Sequence, residues 1–442
     1  MRQLPLLTFY IGLALVPFDN LKFAPSEGWA SISPYIFLLS ALLFFASRPS
    51  VAIKILKRTS RANIFLLTAL IVSSACSYLV LGASTSLIAL NGVKLILGFS
   101  FFVSLTYVLS ISNLGEKQAK IASRIITILA TGYAISVLLG VMQFLAIQGL
   151  APAIPFDLVF SRHYPNKVQF SFTEPSFASL HVFGIIVPSL MIFGHTRSRA
   201  RNILIASGLA ILLISITSGS SLRAAIDTIL FGGGLLLLLP FKRKLKIVTV
   251  LAIALTPLIL FPPKLILDRV NRISQSNQEG DPSTIIRRFR AESAIFGMVD
   301  NPYSALFGYG FGNSGSAMNA GFNAAYEKIS GHYTEIEELG ITPDGLTYSL
   351  HIKLLSEHGV LGYILIMLAA FDRRRKVLFL AICIIYLQFD SYAFYAIWIY
   401  IAARLFNAAL DPKFRPKSPF QNSAPPTYAF NPKISNPSVK NY

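Results

Sequence analysis

Residues 122–146 read ASRIITILATGYAISVLLGVMQFLA, a run whose one charge, Arg124, stands at its start. As a helix rising about 1.5 Å per residue, such a run is long enough to cross a hydrocarbon core of about 30 Å, and in water its apolar surface would have no partner. Similar runs recur at about 4–18, 32–47, 63–82, 86–110, 175–194, 202–217, 222–240, 246–262, 348–370, 376–388 and 390–407, which predicts twelve spans in all. The composition agrees: of 442 residues, 54% are hydrophobic and 13% charged. The expected fold is therefore all-α, a polytopic integral membrane protein, and a soluble enzyme or a DNA-binding protein is excluded.

The formal charge of +19 would suggest nucleic acid in a soluble chain. Here Lys and Arg crowd every second loop: Arg48/Lys54/Lys57/Arg58/Arg61, Lys117/Lys120/Arg124, Arg197/Arg199/Arg201, Lys242/Arg243/Lys244/Lys246 and Arg373/Arg374/Arg375/Lys376. Positive charge retained on the cytoplasmic side explains that alternation, so these loops are expected in the cytoplasm and no nucleic-acid partner is expected. An even number of spans then places both termini there. The first run follows a single Arg2 and lacks a small-x-small cleavage site before Asp19-Asn20, so it reads as a retained span. Cys76 and Cys383 both lie inside apolar runs, which leaves no disulfide framework and no thiolate metal site.

The expected organisation is 1–262 with spans one to nine, a large extracytoplasmic loop at 263–347, spans ten to twelve at 348–410, and a disordered cytoplasmic tail at 411–442 rich in Pro, Ser and Asn. The outer side also holds a loop at 146–173 and a turn at Ser218–Ser221. A loop of about 85 residues is too long for a simple connection and is expected to carry structure and function. Its first part, to Arg290, is basic, with Lys264, Arg269, Arg272, Arg287, Arg288 and Arg290, whereas Glu292 to Asp344 is acidic. A basic cluster on the translocated side calls for a reason, and an anionic ligand at the membrane face is one.

Four constellations carry candidate chemistry. Arg223, in Thr217-Ser-Gly-Ser-Ser-Leu-Arg-Ala-Ala, stands at the outer mouth of a span, where it either snorkels or holds an anion beside a helix N-terminus. Thr173-Glu-Pro-Ser-Phe177 is a helix start, and Glu174 either complements the dipole or takes a proton from a sugar hydroxyl. Upstream, Arg162, His163 and Lys167 add charge. In Ser283-Thr-Ile-Ile-Arg-Arg-Phe-Arg290, three arginines cannot share one helix face, so at most two meet the same ligand, and their forks suit a diphosphate. Tyr348-Ser-Leu-His-Ile-Lys353 brings Tyr348 and His351 to one face, with His351 a candidate base, and Lys353 is an unusual charge for a span. The histidines and carboxylates show no metal-ligand spacing, and no GxxxxGK[ST] loop or dinucleotide fingerprint occurs, so no metal and no cofactor is expected.

In order along the chain these pieces resemble the O-antigen polymerase and O-antigen ligase superfamily of bacterial polytopic glycosyltransferases. The matching features are the span number, the large loop near the C-terminus, Ser218 to Arg223, Arg287 before Asn301-Pro302 and Gly308-Tyr-Gly-Phe-Gly312, and a re-entering helix with Glu357, Gly359 and Gly362. Glu174-Pro-Ser176 is similar to an element of the polysaccharide polymerases. Where many members begin the re-entering helix with His-Asn, this chain has Tyr348-Ser349, so the base is left open among His351, Glu174 and Tyr348.

The resemblance implies polymerisation of polyisoprenyl-diphosphate-linked oligosaccharide repeats on an acceptor glycan, at the outer face of the bacterial inner membrane, into O-antigen or exopolysaccharide. Arg223 and Arg287, supported by Arg288, Arg290 and Arg162, would hold the diphosphate. The lipid bilayer, a flippase and a chain-length regulator are the further partners it implies. Transfer of the glycan to lipid A core or protein, as a ligase of lipopolysaccharide would do, is the first alternative, and a twelve-span secondary transporter the second.

Overall fold

The computed structural model describes residues 3–22, 31–50, 71–72, 74–82, 85–111, 115–152, 158–161, 164–194, 198–238, 249, 282–330 and 347–406. Among these, every extended element is helical, and strand-like pairing is limited to one bridge between Leu21 and Phe160. Among the described residues the helices are α1 (Leu4–Leu15), α2 (Ser33–Ser47), α3 (Thr85–Ile111), α4 (Gly115–Ile147), α5 (Phe177–Phe193), α6 (Arg199–Thr217), α7 (Leu222–Leu238), α8 (Pro282–Val299), α9 (Pro302–Phe307) and α10 (Ser314–Ala320), besides a helical stretch at 74–81. They are followed by α11 (Phe322–Ser330), α12 (Leu350–Ala370), α13 (Lys376–Tyr386) and α14 (Tyr395–Phe406).

Among the described residues four helices are long and apolar enough to cross a membrane: the stretches Ile88–Leu109, Lys120–Ile147, Arg199–Thr217 and Leu350–Ala370, the last kinked at Gly359. Leu4–Leu15, Ser33–Ser47, Phe177–Phe193 and Lys376–Tyr386 are shorter apolar helices. The predicted run at 63–82 is described only in part, with 74–81 helical, and the run at 246–262 lies outside the described residues, except for helical residue 249. The same holds for much of the expected loop (263–281 and 331–346), for Arg162 and His163, and for the tail after residue 406. What is described of the loop, 282–330, folds into α8 to α11, with α8 packed on α10, α11 and α12.

Large apolar side chains stand exposed along the long helices, among them Leu138 on α4, Leu213 on α6 and Leu368 on α12. Surface of that kind is unfavourable in water and neutral against lipid tails. The interior is aromatic: Phe44 stacks on Tyr107 with centroids 3.9 Å apart, and Phe37 meets Phe101 at 4.8 Å. Without a hydrophobic drive between helices in lipid, close approach and hydrogen bonds hold them. Ser104 donates to the Phe37 carbonyl at 3.0 Å, Ser40 donates to the Pro5 carbonyl at 2.8 Å, and the Ser33 and Tyr395 hydroxyls are bonded. Within α5 the helix passes through a π-helical turn, Val182–Ile186, directly after the buried His181. Such turns are uncommon and re-aim the side chains that precede them.

Candidate functional site

The site forms where helix ends meet at one end of the bundle. The Ser218–Ser221 turn is built by its hydroxyls: Ser221 accepts from the Ala224 N–H at 3.2 Å, and Ser220 accepts from the Val168 N–H at 2.8 Å. Ser221 thereby caps α7, and Ser220 ties the turn to the loop before α5. Arg223, the second residue of α7, is buried, and all three of its guanidinium nitrogens donate. Its Nε donates to Asp227 at 3.2 Å, and its two terminal nitrogens donate to the carbonyls of Gln388 and Ile385, each at 2.9 Å. Those carbonyls lie at and just past the C-terminal end of α13, where the dipole favours a cation; Ile385 also accepts from the Gln388 N–H at 3.3 Å.

The residues that Arg223 fastens carry the next layer. Phe389 accepts from the Leu350 N–H at 3.0 Å, Asp390 accepts from the Thr347 hydroxyl at 3.1 Å, and Phe389 meets Phe177 edge-on at 5.6 Å. The start of α12 is thus pinned between α5 and the turn after α13. Within it Tyr348 adopts φ 58°, a left-handed conformation that bulky residues rarely take. Arg287 and Arg290, one helical turn apart on α8, place their guanidinium carbons 5.5 and 5.2 Å from the Tyr348 ring. Arg288 points elsewhere and pairs with Glu292 at 2.9 Å on the exposed side, so the three arginines divide as helical spacing requires. Arg287 and Glu174 both act electrostatically on Arg223. The half-buried Glu174 accepts from Ser176 at 3.2 Å at the head of α5. Arg287, Arg290 and Tyr348 therefore meet from separate parts of the chain, and Arg223 lies within electrostatic reach of both Arg287 and Glu174.

His351 does not join them. Its Nε2 lies 3.0 Å from the Cys383 carbonyl, and Nδ1 lies 3.0 Å from the Tyr363 hydroxyl. A carbonyl only accepts, so Nε2 carries the proton and Nδ1 receives the tyrosine's; the imidazole is held between α12 and α13. Asn301-Pro302 is a helix start: Asn301 accepts from the Ser304 N–H at 2.8 Å and Pro302 occupies the first turn of α9. The Gly308 to Gly312 loop then docks on α12, where Tyr309 and Gly310 donate to the carbonyls of Ser356 and Glu357 at 2.9 and 2.7 Å.

Two buried polar clusters extend beyond the motifs read from sequence, which held Lys353 and Glu357 but neither Asn91 nor Tyr392. In one, Lys353 donates to Asn91 at 2.7 Å, lies 4.0 Å from Glu357 and sits 4.6 Å over the Tyr392 ring, while Tyr392 donates to Glu357 at 2.8 Å. In the other, His181 bridges Tyr133 at 2.9 Å and Asp19 at 3.0 Å and stacks on Phe172 at 4.2 Å. Asp19 also accepts from the Thr173 N–H at 2.9 Å, and its backbone carbonyl from the Thr173 hydroxyl at 2.6 Å, so this cluster fixes the residue before Glu174. Burial pushes the Asp19 carboxyl up, while His181 and the Thr173 N–H pull it down. A histidine inside an apolar run and an aspartate at the edge of another were the available signal, since intramembrane ionisable groups find partners. Among the described residues no group of three or more His, Cys, Asp or Glu is placed to hold a metal ion.

Chemically the corner offers two guanidiniums on one aromatic ring, a third cation anchored behind them and a carboxylate at a helix start. Searches against protein-family models, curated proteins and solved structures found no match to this chain.

Proposed function

We propose that this protein is a twelve-span membrane glycosyltransferase that polymerises polyisoprenyl-diphosphate-linked oligosaccharide repeats at the outer face of a bacterial inner membrane, with both termini in the cytoplasm. The observation that supports this most is the convergence of Arg287 and Arg290 on Tyr348 beside Arg223 and Glu174. Like charges held together at a membrane mouth favour an anionic ligand with several oxygens, and guanidinium forks suit phosphates. In this reading Arg287 and Arg290 contact the diphosphate, and Arg223 fixes the turn on which their partner Tyr348 rests. Glu174 takes the proton as the acceptor hydroxyl attacks the anomeric carbon; the bond to the diphosphate breaks, and the polyisoprenyl diphosphate departs.

Removing a donor that stabilises developing charge costs about 10²–10³ in turnover. Arg287→Ala and Arg290→Ala are therefore each expected to lower glycan extension by about 10²-fold or more at normal membrane abundance, with Arg287→Lys retaining part of it. Near-normal extension in both alanine variants would sink the clamp. Glu174→Gln is expected to lose about 10²–10⁴-fold, the usual contribution of a positioned base, whereas His351→Gln is expected to keep most activity. The reverse ranking would move the base to His351. Deleting the gene in its host and separating lipid-linked and surface glycans at single-repeat resolution tests the reaction class. Single repeats without a ladder support polymerisation, full-length polymer stranded on its carrier lipid replaces it with ligation, and unchanged glycan replaces it with transport.

A further inference from the structure

We propose that the segment from Pro302 to Gly312 re-enters the membrane, with the exposed face of α9 against bilayer hydrocarbon beside α12. The inference rests on α12 crossing a bilayer with its Ala370 end at one face, and is independent of the glycosyltransferase reading.

Depth is set by α12. This helix ends at Ala370, close to the Arg373–Arg375 turn, and Gly359 lies eleven residues before that end. At about 1.5 Å per residue the separation is about 16 Å, half of a hydrocarbon core about 30 Å thick. Yet Gly359 is in direct backbone contact with α9: a Cβ on Gly359 would lie 2.3 Å from the Leu306 carbonyl group and 2.4 Å from the Phe307 nitrogen. The end of a helix predicted to stand outside the membrane therefore touches a span at mid-depth. From the exposed Asp300, the extended Asn301 and the helical rise from Pro302 to Leu306 together reach about 13 Å, close to the roughly 14 Å that separates this depth from the outer edge of the core.

Irregular backbone at such depth is tolerated only where its polar groups are satisfied within the protein. The loop meets that demand. The N–H groups of Gly308, Tyr309, Gly310 and Asn313 donate to the carbonyls of Ser304, Ser356, Glu357 and Gly310, that of Phe311 donates to the Ser74 hydroxyl, and the Gly312 N–H acts on the Glu357 carboxylate. The Gly308 carbonyl accepts from Ser77 at 2.9 Å and that of Gly312 from Asn91 at 3.4 Å. What α9 leaves exposed is apolar: Pro302, Leu306 and Phe307. Next to the Gly359 contact, α12 exposes Val360 and Leu361, so the apolar surface of α9 continues that of a span.

The test is the environment of a spin label at Leu306→Cys and Phe307→Cys, with Cys76 and Cys383 replaced by Ser and the protein reconstituted in phosphatidylcholine vesicles. Leu361→Cys serves as the lipid reference and Arg288→Cys as the water reference. Collision with oxygen relative to a water-soluble nickel chelate is expected to rise several-fold at 306 and 307 over 288 and to match 361. Values at 306 and 307 equal to those at 288 overturn the proposal, as does equal shielding from both reagents, which would mean that protein covers the face. Should the cysteine-free background fail to insert, a photo-crosslinking residue at Phe307 in the native chain replaces it. Adducts to lipid acyl chains support re-entry, and their absence overturns it.

Discussion

Arg223→Ala is expected to lower the stability of the folded protein by about 3–5 kcal/mol, the cost of removing one partner from a buried ion pair. Asp227, wholly buried, would lose its cation, and the Ile385 and Gln388 carbonyls would each lose a guanidinium donor, Ile385 keeping the Gln388 N–H. The measured result should be reduced membrane abundance and a lower unfolding temperature in detergent. Arg223→Lys should recover part of the loss, because an ammonium reaches Asp227 but has no planar fork for two carbonyls and a carboxylate together. The informative variant is Arg223→Met with Asp227→Leu. Replacing both partners of a buried pair by apolar residues is often neutral for stability, so abundance should return toward normal. Activity should return with it if Arg223 serves only to neutralise Asp227, and should stay absent if its two carbonyl bonds are what holds the 385–390 turn or if the guanidinium itself meets substrate. Unchanged abundance in Arg223→Ala would remove the anchoring role altogether.

The helices were largely legible because their signal is one-dimensional. A run such as 122–146 has to lie in lipid, and the helix found there is Gly115–Ile147. The turn at Ser218–Ser221 and the helix start after Thr173 were legible for the same reason, since hydroxyls and proline act on their own neighbours. Pairings between distant helix ends were not. Nothing local says that Arg223 reaches Ile385, that Arg287 lies over Tyr348, or that His351 is held by Tyr363 and Cys383. Helical spacing limited the arginines to two on any one ligand and left open which two; the fold sets Arg287 and Arg290 on Tyr348 and Arg288 on Glu292. The Asp19–His181–Tyr133 cluster was missed because each member, taken singly, is an ordinary end or interior residue of a span; its meaning lies in their meeting.

Gly359→Ala is the second substitution expected to have a large effect, and Gly308→Ala should reproduce it. The two glycines looked like members of separate motifs, Glu-x-Gly-x-x-Gly and Gly-x-Gly-x-Gly. In the fold they serve one contact: a Cβ on Gly308 would lie 2.4 Å from the Glu357 carbonyl carbon and the His358 nitrogen, and one on Gly359 would lie 2.3 Å from the Leu306 carbonyl. Backbone cannot yield as a flexible side chain can. Both residues also adopt a conformation open almost solely to glycine, Gly359 at φ 65°, ψ −178° and Gly308 at φ 73°, ψ −173°. That strain alone costs about 1–3 kcal/mol for a residue with a side chain, and the clash adds to it. Each variant should therefore lose folded protein in the membrane, with α9 displaced from α12. Gly233→Ala is the control, since a methyl group there meets nothing within 4 Å. Within a helix it should be neutral or slightly stabilising, because alanine is the better helix former. Equal abundance of Gly359→Ala and Gly233→Ala would mean that the backbone contact is dispensable. A selective loss at 308 and 359 would tie both motifs to the seat of α9 on α12, and through it to the placement of Arg287 and Arg290 on the preceding helix.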